Sequence, residues 1–134
     1  MSDWRRSIEV EGFNHGPQPI PAACRVGNLV MTGGIYGLDS QTGKVPDDLE
    51  RQTSLMMANL GLVLSAAGAS AEHVVKMTFW VRNSEARAFI NPQWLDMFPD
   101  PKSRPARHTV QNDHMPANLL VQCDALALIP PGRT

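Results

Sequence analysis

The stretch KSRPARHTVQ, Lys102 to Gln111, sets three cations, Lys102, Arg104 and Arg107, around Pro105 and then enters the β-branched pair Thr109-Val110. A residue before proline is biased to extended backbone, which places Arg104 at the entry to a strand. A guanidinium is a planar fork that can bind a carboxylate or phosphate through two parallel hydrogen bonds. Arg107 therefore has two readings: an anion-binding group, or one half of a salt bridge with an Asp or Glu. Further on, VQCDA places Gln122 and Asp124 two residues apart, so on one face of a strand. Asp124 is an alternative acid, set one residue pair along from Gln122.

Other chemistries find little support. The four histidines, His15, His73, His108 and His114, lack the spacing of a metal-binding helix, and a metal site needs three or four convergent ligands. No GxSxG elbow and no GxGxxG fingerprint is present. No metal and no cofactor is expected. Cys24 and Cys123 form no CxxC pair and read as two thiols in a reducing cytosol.

The elements that must position these residues follow from periodicity. SIEVEGF alternates at Ile8, Val10 and Phe13 and predicts a half-buried strand. NHGPQPIPAA, with three prolines, predicts an extended loop. NLVMTGGIYGL predicts one buried strand in which Gly33-Gly34 marks a bulge or a close approach to the backbone. DSQTGK reads as a tight turn with Gly43 at positive φ.

VPDDLERQTSLMMANLGLVLSAAGAS is the clearest helix. Pro46, Asp47 and Asp48 suit its first turn, and Gly68 its stop. Its buried face is expected to be Leu49, Thr53, Met56, Leu60, Val63, Leu64 and Ala67. HVVKMTFWVRN predicts a strand burying Val75, Met77, Phe79 and Val81. SEARAFINPQWLDMF predicts a helix capped by Ser84, kinked or broken at Pro92, and buried at Ala88, Trp94, Leu95 and Phe98. ARHTVQND and NLLVQCDALALIP predict the last two strands, the final one turning Leu119, Val121, Cys123, Ala125 and Ala127 to the core.

The order β-β-α-β-α-β-β predicts an α+β domain over residues 1–134, two helices on one face of a mixed sheet. The other face, with Leu120, Gln122, Asp124 and Leu126, is mixed and wants a second cover, which points to another copy of the chain. The chain has 12 basic and 13 acidic residues, a net charge of −1, which argues against a nucleic-acid partner held by phosphate neutralisation. Its first residues are charged and unlike a signal peptide, and no stretch approaches the roughly 20 apolar residues of a membrane span. The expectation is a cytoplasmic protein with no membrane partner and with loose termini, PPGRT included.

GNLVMTGGIYGLDSQTGKV, LSAAGAS, VVKMTFWVRN, FINPQW, RPARHTV and ALALIP together resemble the Rid family, also called RidA/YjgF and endoribonuclease L-PSP or translation-initiation inhibitor. The resemblance runs from about Val26 to Ile129 and is most specific at GLDSQTG and RPARHTV. It implies a chorismate-mutase-like fold assembled as a trimeric barrel, a homotrimer with pockets at the subunit interfaces. It implies a hydrolase acting on C–N bonds, a deaminase that turns small enamine and imine carboxylates such as 2-aminoacrylate into 2-oxo acids and ammonia without a cofactor. By the same resemblance Arg107 would clamp the substrate carboxylate, Asn91 would be the pocket asparagine, and the backbone of Thr109 would line the pocket.

The sequence also departs from that family's pattern. Gln122 stands where deaminating members carry a water-positioning glutamate; an amide can orient water but cannot take its proton. Gly33 replaces a usual serine, Ile35 a glutamine and Ile20 a tyrosine. A roomier, less polar pocket at Gly33 is expected, and with it an altered specificity. Three readings stand together: an imine deaminase, a non-catalytic carboxylate-binding or interaction protein, and an endoribonuclease or translation inhibitor, the last disfavoured by charge.

Overall fold

The computed structural model of the protein describes residues 4–132. The outermost terminal residues, where loose ends are expected, lie outside that range. Seven strands and two helices follow in order: β1 (Arg6–Ile8), β2 (Ala23–Val26), β3 (Leu29–Thr32), β4 (Ile35–Tyr36), α1 (Leu49–Ala66), β5 (Val74–Val81), α2 (Arg87–Met97), β6 (Ala106–Gln111) and β7 (Val121–Leu128). The sheet order is β1-β2-β3-β7-β5-β6, with β4 also on β7. Only β5 and β6 run parallel; the other pairings are antiparallel. The α+β plan of two helices packed against a mixed sheet is as expected.

Two strands were not foreseen. β2 follows the proline-rich loop at once, and its ladder pairs Cys24 with Met31. The expected single strand through Gly33-Gly34 is two, β3 and β4, laid end to end along β7. At the break, the Thr32 hydroxyl takes over from the backbone and accepts from Ala125 N at 2.9 Å. The first strand also ends early, at Ile8. Val10 and Phe13 instead face each other across a tight turn at Gly12, whose φ is +95°.

α1 begins at Leu49, two turn-forming acids later than expected. Asp48 is its N-cap and accepts from Arg51 N at 3.0 Å. The predicted face is buried, with Leu49 only partly so, and Gly68 ends the helix at φ +84°. Gln52 and Asn59 are buried too, because each serves backbone groups outside the helix. The Gln52 amide bonds Pro46 O, Asn118 O and Leu120 N; Asn59 bonds Tyr36 O and Leu38 O.

A bulge between Val74 and Lys76 corrects the predicted face of β5. It turns Val74 to the core and leaves Val75 50% exposed, so the buried set is Val74, Met77, Phe79 and Val81. In the second helical segment Asn83, not Ser84, caps, accepting from Glu85 N, and a 3-10 turn leads into α2. α2 continues through Pro92 without a break. Ile90, Trp94 and Phe98 are buried, while Ala88 and Leu95 face outward. β7 buries Val121, Cys123, Ala125 and Ala127 against the helices, as expected.

Candidate functional site

Arg107 sits on β6, the edge strand, opposite Met77 of β5. Met77 and Phe79 are core residues, so Arg107 and Thr109 rise from the helix-covered face, beside α2. The guanidinium carbon lies 5.0 Å from the Phe79 ring centroid and 5.1 Å from that of Trp94. Its Nε donates to Thr109 Oγ1 at 2.9 Å. The stem is thereby fixed by two aromatic faces and a hydroxyl, which leaves the terminal nitrogens as the working fork. Among the described residues no carboxylate lies within ion-pair distance of it. Burial, and then the charge of Arg87, push its pKa below the ordinary value.

The other two cations of the opening motif behave differently. Arg104 turns back to the end of α2 and donates to Phe98 O at 2.8 Å and Pro99 O at 3.3 Å. It satisfies carbonyls that the helix end leaves open. Lys102 is exposed on the preceding turn. Asn91 is exposed on α2, one turn from Arg87 and one from Trp94, so the three share a stripe that runs beside β6.

Gln122 lies on the opposite face of the sheet. It is half-buried on β7, across from Tyr36 and Trp80. It borders a cavity of about 300 Å³ shared with Tyr36, His15, Ile20 and the 116–119 segment. Gly34 is where the close approach occurs: a Cβ there would overlap the Gln122 amide. Gly33 is roomier. A Cβ on it would make ordinary contacts with Pro21 O, Ala22 O and His15 Cε1. Asp124 shares the Gln122 face but accepts from the Trp80 indole N–H at 3.1 Å, so it is occupied. His108 is exposed on β6, and among the described residues no group of three metal-ligating side chains converges.

Arg107 and Thr109 thus form one cluster, with Asn91 on the helix beside it, and Gln122 with Ile20 form another, with the sheet between them. Within one protomer the structure does not bring Arg107 and Gln122 together.

Two residues that sequence reasoning left unassigned shape the Gln122 cavity. His15 Nε2 lies 2.7 Å from Gly34 O, and its ring packs edge-on to Phe13 and Tyr36. Its buried Nδ1 has no partner among the described residues. Arg82 donates to Leu119 O, Met115 O, Asp113 O and Ala117 O and so folds the segment that walls the cavity. Its place in the last residues of a predicted strand was visible; the four carbonyls it would meet were not.

The chain is similar to known proteins over most of its length. The family model for Endoribonuclease L-PSP matches residues 18–129. A RutC family protein of Pyrococcus abyssi is 32% identical over 123 residues, covering 89% of this chain and 95% of its own. Reactive Intermediate Deaminase A of the Arabidopsis thaliana chloroplast is 33% identical over 112 residues, covering 83% of this chain and 59% of its own. The crystal structure of Escherichia coli TdcF with bound serine superposes with a TM-score of 0.84 at 26% identity, over 93% of this chain and 99% of that one. With most of its length matched in sequence and its architecture matched in space, the chain belongs to the Endoribonuclease L-PSP family, the family of the Rid proteins.

Proposed function

We propose that this protein is a hydrolytic deaminase of small imine and enamine carboxylates, with Arg107 as the carboxylate clamp. The observation that carries this reading is the held guanidinium: stacked on Phe79 and Trp94, tied to Thr109, and without a carboxylate of its own among the described residues. A monocarboxylate bound on the fork presents its α-carbon at a fixed distance and orientation, which favours attack by a neighbouring water. Water adds to the imine carbon; the carbinolamine then expels ammonia and leaves a 2-oxo acid. The name reactive intermediate deaminase, carried by a relative with 33% identity, supports the same reaction class.

A complete pocket needs both clusters, so the site is proposed to form between copies, Arg107 of one against the Gln122 face of the next. The open sheet face supports this. Leu29 pairs with Leu128 and Met31 with Leu126, and Met31 and Leu128 are each about half exposed (51% and 53%). Such a stripe is costly in water and is covered by association. A homotrimer is the proposed assembly and the cytoplasm the proposed location; among the described residues no helix is long and apolar enough to cross a membrane.

A second reading, a carboxylate binder without turnover, is favoured by one feature: Gln122 cannot accept a proton, and Asp124 is held by Trp80. The test is to generate 2-aminoacrylate in situ and follow its conversion to pyruvate with wild type, Arg107→Ala and Gln122→Glu. Acceleration by wild type that disappears in Arg107→Ala supports the deaminase. A wild type without acceleration that still binds pyruvate supports the binder.

A further inference from the structure

Arg107 is not alone. Arg87 opens α2, and its terminal nitrogen donates to Thr109 O at 3.4 Å, while Arg107 donates to Thr109 Oγ1 at 2.9 Å. Two guanidiniums, one from a helix and one from a strand, therefore meet at a single residue. Among the described residues, neither lies within ion-pair distance of a carboxylate. Glu85, two positions before Arg87, is off its face of the helix. Like charges this close repel, and the field of Arg87 is felt at Arg107. One bound carboxylate would neutralise half of the pair. A ligand with two would neutralise both.

We propose that Arg87 is a specificity-determining residue and that the Arg87–Arg107 pair selects imines and enamines of short dicarboxylic acids. The α-carboxylate takes the Arg107 fork and the distal carboxylate takes Arg87. This rests on the deaminase reading. The two anchors are the hydroxyl and carbonyl oxygens of one threonine, so the cations stand close together, which suits a four-carbon diacid skeleton. Asn91, one turn along α2 from Arg87, adds an amide to the same rim. The chemistry is unchanged by the second carboxylate. Water forms the C–O bond, the C–N bond breaks, the protons of water leave with ammonia, and nothing is oxidised or reduced.

The test compares two imines made in situ by amino-acid oxidases, 2-iminosuccinate from aspartate and 2-iminopropanoate from alanine, for wild type, Arg87→Ala, Arg87→Lys and Arg107→Ala. Wild type should favour the diacid imine in kcat/KM. Arg87→Ala should lose roughly 10- to 100-fold on the diacid and within about 2-fold on the monoacid, with Arg87→Lys between. An equal loss on both imines, no loss on either, or a change of oligomeric state in Arg87→Ala would overturn the proposal. If wild type turns over neither imine, the deaminase reading fails, and calorimetric titration with oxaloacetate and pyruvate decides the diacid preference by itself. Tighter oxaloacetate binding that Arg87→Ala abolishes upholds the pair; equal binding of the two acids rejects it.

Discussion

A guanidinium set against two aromatic rings is a site that works against its own fold. Burial lowers the pKa of Arg107, which means the folded state disfavours its charged form. That penalty is present at every pH below the lowered value, hence throughout the neutral range, and the rings of Phe79 and Trp94 act against it. Arg107→Met, which keeps the stem and drops the charge, should therefore leave the melting temperature unchanged or raise it by up to about 3 °C while abolishing carboxylate binding. A thermal scan of the variant showing a fall of more than roughly 5 °C would recast Arg107 as a structural residue. The same comparison explains why the fork was legible in sequence and its surroundings were not. PAR followed by a β-branched pair marks a cation entering a strand. The rings that hold it, 28 positions upstream in Phe79 and 13 in Trp94, follow only from the parallel pairing of β5 and β6 and the return of α2.

At the scale of the elements, residues outside the helices finish what the helices leave open. Neither helix has a basic residue in its last turn. Arg25 of β2 donates to Ala67 O at the end of α1, and Arg104 does the same for α2. Arg104→Ala should cost about 1–2 kcal/mol of stability by denaturant titration and leave the proposed deaminase kcat/KM of the folded protein within about 2-fold. A collapse of activity at unchanged stability would move Arg104 into the site. The turn before α1 has its own tie. Asp39 accepts from Gln41 N and from Arg51, and these hold its carboxyl below the ordinary 3.8. The folded state thus favours the ionised form, so the contribution is present above the unfolded value and lost as pH falls through the lowered one. Asp39→Asn should melt below wild type at pH 7, and the two should converge as the pH falls below the lowered value. A gap that persists there would mean the carboxylate acts by something other than its charge. Periodicity found both helices and the long strands because those bury a continuous stripe. It missed β2, the division of β3 from β4 and the bulge at Val75, since short strands and bulges are set by their partner strands, β1 and β3 for β2 and β7 for the others, rather than by their own residues. It missed Gln52 and Asn59 because polar residues on a helix read as exposed until the distant carbonyls they satisfy are known.

For the whole molecule the decisive fact is that the sheet separates Arg107 from Gln122. If each site takes its Arg107 half from one copy and its Gln122 half from the next, damage to the two halves should complement. Arg107→Ala disables one half; Gln122→Ala disables the other. Mixed before refolding in equal amounts, the two chains pair at random around a closed ring. An intact site then needs its Arg107 half from the second variant and its Gln122 half from the first. Each has even odds, so about one quarter of the wild-type sites should be restored. The ratio does not depend on whether the ring has three members or another number. Each variant alone sets the baseline, and Arg107→Ala mixed with itself controls for refolding. Recovery near one quarter, read as 2-oxo acid formation or as stoichiometry of pyruvate binding, would place the site between copies. A mixture no better than the average of its parts would confine the chemistry to the Arg107 cluster of a single protomer and leave the Gln122 cavity without a role in it.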